Sequence, residues 1–152
     1  MNTENKQVIT DGQDDVRILN LINQFKAFNH WDDRYKEIIN LGKKLPSVDL
    51  ETLDPKFLVK GCQSQVFLIP SLVNGKIYFQ VESDALIVKG ILAILVQVYS
   101  DRFPQDILKI SPKFLETMGI IEHLSMTRSN GLKSMIKQIQ LYAFAYSQMA
   151  ST

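Results

Sequence analysis

The chain has 152 residues, of which 45% are apolar and 22% charged, and its formal net charge is +1. These values are ordinary for one globular domain with its own hydrophobic core. Nucleic-acid-binding domains are commonly strongly basic, so this charge balance leads us to expect no nucleic-acid partner. A single cysteine, Cys62, excludes an intrachain disulfide, a Cys-x-x-Cys redox motif and a cysteine-rich zinc site.

The start of the chain is polar and has little to bury. We predict a flexible tail over residues 1–13, followed by one domain over residues 14–150. The tail has no apolar stretch like that of a signal peptide, and no segment reaches the roughly 20 apolar residues that a membrane span needs. We therefore expect a cytosolic protein without a membrane partner.

The first part of the domain has apolar residues at helical spacing. Asp14 or Asp15 is placed to cap a first helix, because a short carboxylate accepts a hydrogen bond from an unpaired backbone N–H. A second helix is predicted from a cap at Asn29 to an end at Gly42. Both helices have one apolar face, which predicts packing against a shared core.

The middle of the chain predicts a small antiparallel sheet. Residues 66–69 are apolar, and Asn74-Gly75 is the strongest short hairpin signal, because a type I′ turn needs positive φ at both central residues. The second strand then alternates apolar and polar residues, with Glu82 on its polar side. Residues 57–59 are predicted to add a third short strand.

A nearly uniformly apolar segment, ALIVKGILAILVQVY, follows the sheet. We predict that it forms the central buried helix of the domain, capped by Ser83 or Asp84. Gly90 in its middle costs about 1 kcal/mol relative to alanine. A close approach of another backbone would explain this glycine, and simple tolerance would explain it equally well.

Helical segments make up the rest of the chain. Short pieces are predicted over residues 103–108 and from residue 111 to Gly119, and a long C-terminal helix is predicted to begin after Arg128-Ser129. The predicted fold class is therefore α+β. It consists of a single domain in which a small antiparallel sheet of about three strands packs against helices.

Cys62 lies in the polar segment KGCQSQ, between two apolar segments. Composition alone favours inert packing, since free cysteines are often buried, but these neighbours are a poor setting for a core residue. Gly61 permits a left-handed backbone conformation, which would project the next side chain outward. A nearby cation such as Lys60 would lower the pKa of the thiol, and the thiolate is the nucleophilic form.

Four sequence blocks together resemble the SufE family, whose members accept sulfur from cysteine desulfurases in iron–sulfur cluster assembly. These blocks are HWDDRYKEIINLGKKLP, VKGCQSQVFLIP, ESDALIVKGILAIL and HLSMTRSNGLKSMI. They occur in the family's order and span about residues 16–146. None of them is specific alone, but their combination is.

The resemblance implies that Cys62 accepts sulfur as a persulfide from a SufS-like desulfurase. It also implies that the protein stimulates that enzyme and passes the sulfur to a SufBCD-like scaffold. The desulfurase holds the pyridoxal phosphate, so the chain itself needs no cofactor and no metal. Without a second cysteine, sulfur bound to Cys62 must leave by reaction with another protein.

The resemblance also implies roles for residues around Cys62. Arg128 is the best candidate for a charge that stabilises the thiolate or holds the loop, although a surface arginine ahead of a helix is the plainer interpretation. Asp84 is expected to brace the loop or only to cap the central helix. Gln63 and Ser64 are expected to hydrogen-bond the loop or the partner, and Gly61 to set the backbone of the loop.

Three alternatives stay open at this point. A paralogous group within the family pairs with a different desulfurase and feeds another sulfur pathway, although Gln63-Ser64 looks more like SufE proper. A cysteine hydrolase would use Cys62 with His30 or His123, and would need a thiol–imidazole pair within hydrogen-bond reach. In a non-catalytic adaptor, the Cys62 side chain would serve only in packing.

The sequence also leaves open whether the protein forms a homodimer.

Overall fold

A computed structural model describes residue 12 and residues 15–150, with side chains through residue 149. Apart from Gly12, the predicted tail lies outside these residues. In chain order the helices are α1 (Val16–Lys26), α2 (Trp31–Lys43), α3 (Leu86–Tyr99), α4 (Pro104–Leu108), α5 (Phe114–Thr117) and α6 (Met126–Ala150). The strands, β1 (Val66–Val73) and β2 (Lys76–Ser83), lie between α2 and α3. The predicted α+β class is confirmed.

The sheet is an antiparallel hairpin, in which Val66 pairs with Ser83 and Val73 with Lys76. Asn74 and Gly75 have φ of 52° and 83°, which confirms the left-handed turn predicted at this dipeptide. Among the described residues the sheet has two strands, so the expectation of about three is wrong. Residues 57–59 contribute only an isolated bridge between Leu58 and Phe67, because a short helical turn ends immediately before it.

Helix α3 is the centre of the core, as predicted, and packs against β2 on one side and α2 on another. The backbones of α2 and α3 meet at two glycines. A Cβ added to Gly42 would lie 2.7 Å from the backbone nitrogen of Gly90, and one added to Gly90 would overlap the carbonyl oxygen of Ile38. The close approach suggested for Gly90 is therefore present. Gly42 lies inside α2 and does not end it, because its role is in this contact.

The helix caps differ in part from the predictions. Asp15 caps α1 through a hydrogen bond from the Arg17 backbone N–H at 2.9 Å, as expected. The same carboxylate accepts hydrogen bonds from the Arg102 guanidinium at 2.7 and 2.8 Å. At α2 the cap predicted at Asn29 is wrong, since the helix begins after His30, which makes no side-chain capping bond.

Helix α6 covers the sheet and carries a buried stripe, which comprises Leu132, Met135, Ile136, Ile139 and Ala143. It begins at Met126, earlier than predicted, because Ser125 Oγ accepts a hydrogen bond from the Arg128 backbone N–H at 3.2 Å in the manner of an N-cap. Arg128 consequently lies in the first turn of the helix. Within residues 15–150, no helix combines the length and the apolar composition that crossing a bilayer requires.

Candidate functional site

The loop that carries Cys62 is closed at both of its ends. The Val59 backbone N–H donates a hydrogen bond to the Val66 carbonyl oxygen at 2.8 Å, which brings the residues on either side of the loop together. Within the loop, Gly61 has φ of +92°, the left-handed conformation expected for this glycine. A Cβ at Gly61 would lie 2.5 Å from Ser134 Oγ on α6, so the loop rests directly against that helix.

The Cys62 side chain points back toward the protein and is half-buried. Its Sγ lies 3.5 Å from the carbonyl oxygen of Gly131 on α6, to which the thiol donates. Gly131 has no Cβ; an added one would lie in ordinary contact with the sulfur, at 3.5 Å. The expectation that Gly61 projects the next side chain outward is therefore wrong for this arrangement, because α6 offers the thiol a surface to pack against.

Burial raises the pKa of the Cys62 thiol above its ordinary value. The suggestion that Lys60 lowers this pKa is not supported by the structure. Lys60 is exposed and lines a different groove, whereas the thiol faces α6. In the inward-facing arrangement the sulfur is therefore held mainly in its neutral, less nucleophilic form at neutral pH.

A cavity of about 190 Å³ lies beside the thiol, between the Cys62 loop, α3 and the start of α6. It is lined by Gln63 and Ser64 from the loop and by Arg128 from α6, three of the residues singled out from the sequence. Val88 and Met135 close its apolar side. The cavity is large enough for one additional sulfur atom on Cys62, and its wall offers both polar and apolar contacts.

Of the described residues that line this cavity, Arg128 is the only cationic one. Its side chain is exposed, and its guanidinium forms no hydrogen bond or ion pair within residues 15–150. An unpaired guanidinium at the mouth of the cavity can donate hydrogen bonds to an anionic sulfur species. The structure thus places a positive charge on the same cavity as Cys62.

Asp84 holds the end of the Cys62 loop. Its Oδ1 accepts a hydrogen bond from the Gln65 backbone N–H at 3.0 Å, across 19 residues of sequence. The alternative cap role is wrong, because α3 begins at Leu86 with Ala85 at the N-cap position and no side-chain cap bond. Ser83 is closer to a capping role, since its Oγ accepts from the Ala85 backbone N–H at 3.3 Å.

Sequence reasoning missed the environment of Glu82, which was expected on the polar side of β2. Glu82 is buried, and its carboxylate accepts hydrogen bonds from the Val48 and Ser83 backbone N–H groups at 2.9 and 3.0 Å. Lys89 Nζ lies 3.1 Å from it. Burial acts to raise the pKa of Glu82, but these hydrogen bonds and the Lys89 charge outweigh it and lower the pKa. This network fixes the chain immediately before Asp84.

Gly131 was also missed, although it lies inside a sequence block that had been singled out. Its importance comes from contact with Cys62, which is 69 residues away in sequence. The contact uses a backbone carbonyl oxygen, which every residue has, so the sequence carries no local signal for it.

Neither histidine is part of this site. His123 stacks on Trp31 with ring centroids 4.4 Å apart, and its Nδ1 lies 2.9 Å from the Gly119 carbonyl oxygen. His30 is exposed at the start of α2. No imidazole lines the cavity beside Cys62 in the part of the chain that the structure describes. The arrangement therefore lacks the thiol–imidazole pair that a cysteine hydrolase needs.

Comparisons with known proteins agree with the fold and the sequence blocks. The sequence matches the family model "SufE: Fe-S metabolism associated domain" over residues 19–143. The fold is similar to the solution structure of a hypothetical protein from Thermus thermophilus, with a TM-score of 0.71 and 19% sequence identity. That match covers 87% of this chain and 96% of the other. The chain belongs to the SufE family, whose domain is associated with Fe–S metabolism.

Proposed function

We propose that the protein is a sulfur carrier that takes sulfur from a pyridoxal-phosphate-dependent cysteine desulfurase onto Cys62 and delivers it to an iron–sulfur cluster scaffold. The observation that carries this proposal is the position of Cys62. This residue lies on a loop that the fold holds at both ends, and its half-buried side chain lines a cavity. Membership of the SufE family supports the same role. We place the transfer in the cytosol, where a lone thiol stays reduced.

The loading step is a thiol exchange that needs no external oxidant. The Cys62 thiolate attacks the outer sulfur of the donor's persulfide, a new S–S bond forms at Cys62, and the donor's S–S bond breaks. The donor's cysteine leaves as a thiolate, and Cys62 then carries the outer sulfur as its own persulfide. Unloading repeats the same exchange with a thiolate of the acceptor protein.

Loading requires the loop to leave the arrangement described above. The inward-facing thiol is partly shielded by α6, and its raised pKa disfavours the reactive form. Two contacts limit how far the loop can move, namely the Val59–Val66 backbone bond and the Asp84–Gln65 bond. We propose that the segment between them swings outward to meet the donor and returns with the added sulfur sheltered in the cavity.

Arg128 assists this exchange in the proposed mechanism. Since it lines the cavity with Cys62 and has no partner among the described residues, its guanidinium is available to the Cys62 thiolate and to the anionic persulfide. Gln63 and Ser64 line the same cavity and supply polar contacts to the loop or the bound partner. Removal of sulfur from the desulfurase frees that enzyme's cysteine for another turnover, so the carrier stimulates it.

The stimulation of a desulfurase tests this function in solution. The rate of alanine formation from L-cysteine is measured with a purified cysteine desulfurase, a reductant that unloads the carrier, and either the wild-type protein or Cys62→Ser. We expect the wild-type protein to raise the rate and the serine variant, with unchanged circular dichroism, to have no effect. Equal stimulation by both proteins would contradict a role for Cys62 as the acceptor.

A further inference from the structure

A shallow groove of about 400 Å³ lies beside the Cys62 loop, between residues 56–60 and the middle of α6. The cationic residues that line it are Lys56, Lys60 and Lys137, and the apolar ones are Leu58 and Leu141. The groove is separate from the cavity that contains the sulfur, since the two are lined by different residues.

The groove and the cysteine loop share a structural boundary. Lys60 directly precedes Gly61 and Cys62 in the chain. Ser134 lines the groove and is also the α6 residue against which Gly61 packs. A protein segment seated in the groove would therefore touch the element that has to move when Cys62 exchanges sulfur.

The charge of the groove is one-sided. No carboxylate lines it among the described residues, although the chain as a whole has a net charge of only +1. Lys60 and Lys137 form no ion pair within residues 15–150. Lys56 lies 3.9 Å from Asp54, but both side chains are more than half exposed, and such a pair is weak. The groove therefore matches a negatively charged partner surface.

The apolar part of the groove is accessible to a partner as well. Leu58 and Leu141 are 39% and 50% exposed and line the same concave surface, so a partner can contact both side chains. Protein interfaces commonly combine a desolvated apolar centre with a polar rim. Here the leucines provide the centre, and the lysines provide the rim.

We infer that this groove docks an acidic segment of the sulfur-donor protein, with carboxylates against Lys60 and Lys137 and an apolar side chain against Leu58 and Leu141. This inference rests on the proposed function, which supplies a protein donor that has to reach Cys62. Docking at the groove holds the donor beside the cysteine loop while the loop swings outward.

Charge reversal tests the groove against a matched control. The first variant is Lys60→Glu/Lys137→Glu. The control is Lys26→Glu/Lys36→Glu, which changes the net charge equally at exposed positions on α1 and α2 that do not line the groove. For each protein, the concentration that gives half-maximal sulfur loading of Cys62 by a cysteine desulfurase is measured. The rate of alkylation by iodoacetamide, a neutral reagent, reports whether the thiol itself is altered.

At low salt, we expect the concentration for half-maximal loading to be about ten-fold higher for the groove variant than for wild type. The same concentration for the control should lie within about two-fold of the wild-type value. At about 1 M salt, where the Debye length is about 3 Å, the difference between wild type and the groove variant should nearly vanish. Alkylation rates should agree within about two-fold in all proteins.

Three results would overturn the inference. The first is equal loading of wild type and the groove variant. The second is an equal loss in alkylation and loading, which would assign the effect to the cysteine loop. The third is a changed sedimentation of the free protein with unchanged loading, which would assign the groove to a second copy of this chain. Failure of wild-type Cys62 to load from any desulfurase would instead remove the proposed function.

Discussion

The Asp84 carboxylate accepts a hydrogen bond from the Gln65 backbone N–H at 3.0 Å, and this contact ties the start of α3 to the end of the cysteine loop. The loop is therefore held from outside by a side chain, in addition to its own backbone bond between Val59 and Val66. The loop opening that we propose requires contacts that are specific and individually weak. A single hydrogen bond to a largely exposed carboxylate meets that description.

Asp84→Ala should loosen the loop, because the Gln65 N–H loses its acceptor. We expect the alkylation rate of Cys62 by iodoacetamide to rise about three- to ten-fold, which corresponds to a contact of about 1 kcal/mol. Asp84→Asn keeps an oxygen at the same position and should restore most of the wild-type rate. If alanine and asparagine give the same alkylation rate as wild type, Asp84 does not position the loop.

Arg128→Ala should slow sulfur acceptance by Cys62 about ten-fold, because the cavity loses the cation that we propose to stabilise anionic sulfur. The fold should be retained, since only the exposed guanidinium is removed and the cap bond uses the backbone. Arg128→Lys keeps the charge but lacks the planar set of donors, so its rate of sulfur acceptance should lie between those of wild type and Arg128→Ala. The measurement is the rate of Cys62 loading in single-turnover reactions with a persulfidated desulfurase. An unchanged rate in the alanine variant would remove Arg128 from the site.

The pH dependence of Cys62 reactivity follows from its burial. Because burial raises the thiol pKa, the alkylation rate should still be rising above pH 8.5, roughly the pKa of a free cysteine. In the protein unfolded in urea, the Cys62 thiol should titrate at about the pKa of a free cysteine. Since the native pKa is the higher one, the thiol's contribution to stability is complete below the unfolded pKa and is lost as pH rises through the native pKa. A native midpoint below that of the unfolded chain would show that the thiol is activated in the free protein.

Two helix glycines, Gly90 and Gly131, should respond to alanine in opposite ways. Gly90→Ala places a Cβ against the Ile38 carbonyl, and we expect a loss of about 1–3 kcal/mol in the free energy of unfolding. Gly131→Ala meets Cys62 Sγ only in ordinary contact, so the gain in helix propensity should stabilise the protein by up to about 1 kcal/mol. Urea unfolding measures both. A stable Gly90→Ala would mean that α2 and α3 do not cross as closely as described.

Local sequence signals predicted those parts of the fold that local chemistry controls. The turn at Asn74-Gly75, the cap at Asp15 and the left-handed Gly61 each follow from the backbone preferences of one or two residues. The buried helix α3 is also predictable from the sequence, since its segment is apolar on nearly all sides.

The remaining features depend on contacts between distant segments. Lys89 and the Val48 backbone N–H bind the buried Glu82 carboxylate. The alternation of apolar and polar residues along β2 does not predict these contacts, because they come from other segments of the chain. The inward orientation of Cys62 depends on the backbone carbonyl oxygen of residue 131, which lies across the fold and accepts a hydrogen bond from the thiol. The sequence does not reveal that Asp84 holds the cysteine loop and leaves α3 uncapped, because the Gln65 N–H that it binds is 19 residues away in the chain.

Mass spectrometry of the Cys62 peptide tests the central claim most directly. The protein is incubated with a cysteine desulfurase and L-cysteine, alkylated to trap thiols and persulfides, and digested; Cys62→Ser and a reaction without L-cysteine are the controls. We predict one added sulfur atom on the Cys62 peptide of the wild-type protein, absent from both controls and removed by a reductant. An unmodified Cys62 in a reaction where the desulfurase has turned over would contradict the account.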